Sequence, residues 1–96
     1  MNHHTVEVFI EMLRQKNQLT DLESDCLDTF SAFFTKPFDA DAAKERILCN
    51  NVKYPDIFLA IAAMPTTVTK PFSEVTDEDL KYNLYNQLMQ MAAKSI

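Results

Sequence analysis

Apolar positions recur along this chain at helical spacing. Val6, Phe9, Ile10 and Leu13 fall at i, i+3, i+4 and i+7 with Glu7, Glu11 and Arg14 off that face, which predicts an amphipathic helix over residues 5–17. On a second helix, running to Thr35, Leu22, Cys26, Leu27, Phe30, Phe33 and Phe34 share an arc of about 140°, with Asp21, Asp25 and Asp28 on the other side. Thr20 and Glu23 have the spacing of a capping box at its start, and Pro37 closes it. Asp39 or Asp41 caps a third helix with Ala43, Ile47 and Leu48 inward and Asn50-Asn51 as its end. Pro55 and Asp56 suit the first turn of a fourth, whose body from Ile57 to Met64 is apolar on every side and so predicts the central core element. Residues 65–75 form the one long connection, expected to pack as an ordered loop. Thr76 then opens a last helix with Asp77, Glu78 and Asp79 in its first turn and Val75 placed to meet Leu80 as a hydrophobic staple.

The last helix carries two apolar stripes. Leu80, Leu84, Leu88 and Met91 suffice to fasten it to its own domain. Tyr82, Met89 and Ile96 recur every seven residues on another side, with Tyr85 and Ala92 between the stripes, which leaves Asn83, Asn86, Gln87, Gln90 and Lys94 as the polar face. An apolar arc this wide, beside a fourth helix expected to fill the centre, predicts contact with another chain or a second copy. Phe72, Tyr82, Tyr85, Met89 and Ile96 are the candidate contact residues.

The pattern as a whole predicts an all-α domain spanning residues 1–96, a compact bundle of four or five short helices. One arrangement is two helical hairpins with a C-terminal capping helix. Thr35-Lys36-Pro37-Phe38 returns as Thr69-Lys70-Pro71-Phe72, 34 residues on. That is the period of tetratricopeptide hairpins, and Ile57, Ala60 and Pro65 resemble the spacing of that repeat's second helix. The tryptophan, leucine-glycine and tyrosine pattern of its first helix is missing. The resemblance therefore covers three residues and a period, and reuse of one helix-stop and helix-start phrase is the reading adopted.

Composition sharpens this by exclusion. The chain has no glycine, which removes the phosphate-cradling loops of P-loop and dinucleotide-binding folds. Its 47% hydrophobic and 24% charged residues belong to a globular protein. A net charge of −5 argues against direct nucleic-acid binding. The apolar run from Ile57 is too short to cross a membrane, and no basic-then-apolar leader is seen, so a cytoplasmic location is expected. Cys26 and Cys49 are expected to be two buried, reduced thiols.

Little chemistry is in reach. His3 and His4 stand at a terminus, so neither supplies a catalytic triad, and no catalytic residue is assigned. His3, Glu7 and Glu11 share a helical face at metal-ligand spacing but read as a solvated face. Asp21, Glu23 and Asp25 begin like a calcium loop, yet Cys26 stands where its sixth position needs glycine and Ala32 where its twelfth needs glutamate. No metal or cofactor is therefore expected. Asp21, Asp25 and Asp28 present an acidic face that suits a basic partner but reads first as the wet side of a helix, and Phe30, Phe33, Phe34 and Phe38 read first as core.

These readings converge on a non-enzymatic protein-binding module: a small acidic chaperone or adaptor, or a phage-type inhibitor of a host protein, acting through its C-terminal helix on another chain or on itself. The alternative is a small-molecule or nucleotide-sequestering protein using Lys36, Arg46, Lys53 or Lys70 as anion contacts.

Overall fold

A computed structural model describes residues 3–64 and 71–95, with the side chains of residues 3–5 and of Phe72 outside the description. The expectation of an all-α bundle holds: five α-helices and one short 3-10 turn form among the described residues, with no strand. They are α1 (His3–Arg14), α2 (Asp21–Phe34), α3 (Ala40–Lys53), α4 (Pro55–Ala62) and α5 (Asp77–Ser95), with the turn at Phe72–Glu74 before α5. Of the predicted connection at 65–75, residues 65–70 lie outside the described residues and the 3-10 turn falls within the rest.

Local sequence sets most of the boundaries. Thr20 Oγ1 accepts from the Glu23 amide at 3.1 Å and Glu23 Oε1 accepts from the Thr20 amide at 2.9 Å, which completes the capping box of α2. Asp39 rather than Asp41 caps α3, accepting from the Ala42 amide. Thr76 and Asp79 exchange the same reciprocal pair at the start of α5, and Val75 packs against the apolar cluster that contains Leu80. Pro55 stands in the first turn of α4, where its missing N–H costs nothing. The Lys36–Pro37 peptide between α2 and α3 is cis.

Some boundaries differ from expectation, among them the end of α4, at Ala62 where the apolar run continues to Met64, and the start of α1, at His3. The first helix ends at Arg14 instead of Asn17, closing through turn bonds from Gln15 and Lys16 to Met12 and Leu13. The third runs past Asn50-Asn51 to Lys53, because Asn50 has buried partners and its side chain does not turn back to break the helix.

The larger correction concerns which helix is central. α5 touches all four other helices, shares its broadest contact with α2, and buries Leu80, Leu84, Leu88, Met91 and Ala92, so it is a hub and not a terminal cap. α1 packs on α2 and α3 on α4, as two hairpins would, but both pairs are organised around α5. The apolar α4 is peripheral. Of its side chains Ile57 and Ile61 are buried, while Phe58 and Leu59 face outward. With only eight residues, two turns, it contributes one buried edge and cannot be surrounded. Leu48, expected inward, is exposed on α3, and Phe34 at the end of α2 is exposed too.

The core has two apolar clusters. One joins α1, α2, α4 and α5 through Val6, Ile10, Leu13, Cys26, Ile57, Ile61, Leu88 and Met91. The other joins α3 and α5 through Ala43, Ile47, Leu80 and Leu84, with Phe33, Phe38 and Val75 against it.

Candidate functional site

Along three helices the chain passes from one cluster to the other through a polar side chain. On α2, Thr29 lies between Cys26 and Phe33; between Ile47 on α3 and Ile57 on α4 lies Asn50; on α5, Gln87 lies between Leu84 and Leu88. All three are buried and joined to one another. Asn50 Nδ2 donates to Thr29 Oγ1 at 2.9 Å and to Gln87 Oε1 at 2.8 Å; Gln87 Nε2 donates to Asn51 Oδ1 at 3.0 Å and to the Ile47 carbonyl at 3.4 Å; Thr29 Oγ1 donates to the Asp25 carbonyl at 2.7 Å. A polar belt thus crosses the core, its cost of burial met by its own hydrogen bonds.

The belt continues into a charged hub. The Asp25 side chain is only 8% exposed and takes three donors, all from α3 and the α3–α4 corner: Tyr54 Oη at 2.5 Å, Lys53 Nζ at 2.7 Å and Arg46 Nη2 at 3.4 Å. Burial alone would raise the Asp25 pKa, but the hydrogen bonds from Lys53 and Tyr54 and the charges of Lys53 and Arg46 outweigh it and hold the carboxyl below its ordinary value. Tyr54 moves the other way, its phenol made harder to ionise by burial and then by its bond to Asp25. Lys53 and Lys94 both stand 5.9 Å from the Tyr54 ring, and Lys94 also reaches Asp56 at 2.6 Å, tying the end of α5 to the start of α4.

This revises the acidic face of the second helix. Asp25 is buried, and the basic partner it meets is α3 of its own chain, where Arg46 also reaches Asp28 at 3.4 Å. Gln87 and Asn86, assigned to the polar face of the last helix, are buried as well. Chemically the hub is a fastening. Its carboxylate is a weak base already saturated with donors, and the neighbouring Cys26 thiol is pushed up to about 12, first by burial and then by the Asp25 and Glu23 charges, so it stays protonated. Cys49 corrects the expectation of two buried thiols: two residues beyond Ile47, it sits on the outer side of α3 and is exposed. The two are not bonded to each other.

Three of the five candidate contact residues have described side chains, Tyr82, Tyr85 and Met89, and they differ in exposure. Tyr85 and Met89 are half-buried against the first cluster, because Phe33 and the other helices around α5 reach that far; Phe33 stacks at 5.9 Å on Tyr85. Tyr82 keeps 42% exposure. The Phe72 side chain and Ile96 lie outside the described residues, as do Lys70 and the side chains of His3 and His4. Of the proposed anion contacts, Arg46 and Lys53 are committed to Asp25. A groove on α3 lined by Ala42, Glu45, Arg46 and Cys49 measures about 180 Å³, below the roughly 300–1,000 Å³ usual for ligand sites.

Exposed apolar side chains gather elsewhere. Four of the nine large hydrophobics exposed among the described residues lie between positions 48 and 59: Leu48 and Val52, one turn apart on α3, and Phe58 and Leu59 on α4. Val52 is 81% exposed and Leu59 65%. Among the described residues no helix is long and apolar enough to cross a membrane, and no group of three or more metal-ligating side chains is assembled. No family model, curated protein or solved structure matches the chain.

Proposed function

We propose that this chain is a protein-binding module whose docking surface is the outer side of α3 and α4, with the C-terminal helix serving as internal scaffold. The observation that carries this reading is the outward placement of Leu48, Val52, Phe58 and Leu59 on two consecutive helices that each already have a separate buried face. Among the described residues these four side chains stay exposed, and exposed apolar groups, where they form a patch, mark contact surfaces. The surface shifts from the last helix because α5 is enclosed by its neighbours, with Tyr82 left as an exposed edge.

The partner that fits is a different protein carrying an apolar patch with a basic rim. Asp41 and Glu45 are exposed on α3 with one lysine, Lys44, between them, while Arg46 and Lys53 are countered by Asp25 and Asp28 together and Lys94 by Asp56. The charge left on this side is acidic, and two copies of a chain at −5 repel each other. An adaptor, chaperone or inhibitor that works by covering a surface has this form.

The test pairs affinity capture with light scattering. Burying two such side chains at about 1.5 kcal/mol each gives roughly 3 kcal/mol, more than a hundredfold in Kd. Val52→Asp with Leu59→Asp is expected to abolish capture of a partner that the unsubstituted protein and a Tyr82→Ser, Met89→Ser protein both retain, with all three monomeric. Retention by the aspartate variant and loss from the serine variant would return the interface to α5. A concentration-dependent dimer broken by the aspartates would make the occupant a second copy.

A further inference from the structure

α3 and α4 are held to the rest of the molecule by two unlike kinds of contact. Ala43 and Ile47 meet Leu80 and Leu84, and Ile57 and Ile61 join the first apolar cluster. Apart from Ile47 and the Tyr54 ring, which packs on the first apolar cluster, the contacts from Arg46 to Tyr54 onto α2 and α5 are polar: Arg46, Lys53 and the Tyr54 hydroxyl on Asp25, Asn50 on Thr29 and Gln87, Asn51 on Gln87. These differ in what separation costs. Apolar surfaces pulled apart into water gain nothing in return, whereas each polar group exchanges its partner for a water molecule and gives up little. By contrast, α2 and α5 share the broadest contact in the fold, and α1 is held by the apolar Val6, Ile10 and Leu13.

We propose that α3 and α4 open from the α2–α5 pair as one unit, and that Asp25 is the latch that keeps the unit shut. Three donors on the moving unit converge on that single carboxylate, so removing its charge leaves them without that compensation in the closed geometry. An asparagine there keeps the shape but turns an NH2 group toward groups that are themselves donors, and it leaves Lys53 without its paired carboxylate and Arg46 with Asp28 alone. Opening uncovers Cys26, which is fully buried, follows Asp25 in sequence and shares its cluster with Ile57 and Ile61. The latch holds or fails independently of what docks on the outer side of α3 and α4.

Cys26 is also the reporter. With Cys49→Ser removing the exposed thiol, the reaction of Cys26 with a disulfide reagent is followed across a urea series, beside global unfolding of the same protein and amide exchange by mass spectrometry. The expected result is labelling with a shallower urea dependence than global unfolding, accelerated on the order of a hundredfold by Asp25→Asn and about tenfold by Tyr54→Phe without steepening. Amides of residues 46–61 should exchange together with that labelling and ahead of residues 84–92. Labelling that follows global unfolding with the same slope in every variant, or equal protection of 46–61 and 84–92, would overturn the latch. Should Asp25→Asn fail to fold, the Tyr54→Phe and unsubstituted proteins carry the same comparison.

Discussion

Thr29, Asn50 and Gln87 are the residues on which the interior turns. Each stands on an apolar stripe: Asn50 follows Ala43 and Ile47 at i+7 and i+3, and Gln87 lies among Leu80, Leu84, Leu88 and Met91. Replacing Asn50 with leucine removes its bonds to Thr29 and Gln87 and leaves the Gln87 amide short of a partner inside the core. We expect it to cost about 2–4 kcal/mol in urea denaturation, the sum of the missing bonds and one unsatisfied buried group. Gln87→Leu should cost a similar amount, and the double substitution clearly less than the two together, since it removes the orphaned partner as well. Strict additivity would mean that the two amides do not act as a pair. Polarity alone points outward, which is why Gln87 reads from sequence as part of a polar face and Asn50 as a helix end. The available signal is position: a polar residue on an otherwise apolar stripe, the pattern by which a buried asparagine fixes register in coiled coils. Asp25 shows the limit of that signal, since no spacing within α2 reveals that Arg46, Lys53 and Tyr54 will meet it from elsewhere in the chain.

Helix starts are legible in the sequence because they are local. Thr20 with Glu23, Thr76 with Asp79, Asp39 before α3 and Pro55 within α4 each act over three or four residues, and the structure forms all of them. The inner stripes of α1 and α5 are equally readable, as Val6, Ile10 and Leu13 and Leu80, Leu84, Leu88 and Met91 show. The place of α4 is not. An apolar circumference states what a helix would tolerate around it, while its surroundings depend on its length and on where Pro55 redirects the chain after α3. The two sides of α4 therefore separate cleanly in a stability experiment. Ile61→Ala should cost about 2–4 kcal/mol, and Leu59→Ala should fall within about 0.5 kcal/mol of the unsubstituted protein. Equal losses at both positions would place α4 in the interior. The same comparison applies on α3 with Ile47 and Leu48, whose inward and outward placements the periodicity alone does not distinguish.

At the scale of the whole molecule, the pH dependence of stability should carry the signature of the buried groups. In the folded state the Asp25 carboxyl lies below its ordinary 3.8, held there by Lys53, Tyr54 and Arg46 against the effect of burial, and Glu23 lies below 4.5 because Lys16 and the Thr20 amide bond it. A depressed carboxyl stabilises fully above its unfolded value and loses that contribution as the pH falls through the folded one. The melting temperature should accordingly hold from neutral pH to about 4.5 and fall below it, with a shallower acid limb in Asp25→Asn. Cys26 contributes on the opposite side together with Tyr54 and Lys53, which are also shifted upward: its protonated form is favoured by burial, so its contribution is complete below 9.0 and is lost as the pH rises from there toward about 12. An acid limb unchanged by Asp25→Asn would remove that residue from its place in the hub.

The docking surface on α3 and α4 is most directly tested by site-specific photo-crosslinking, with a benzophenone side chain placed in turn at Val52, Leu59, Val8 and Tyr82, all exposed in the fold. Adducts to one and the same partner protein from positions 52 and 59, with little from position 8, are the predicted result. Adducts from position 82 alone, or equal and diffuse adducts from all four positions, would contradict it.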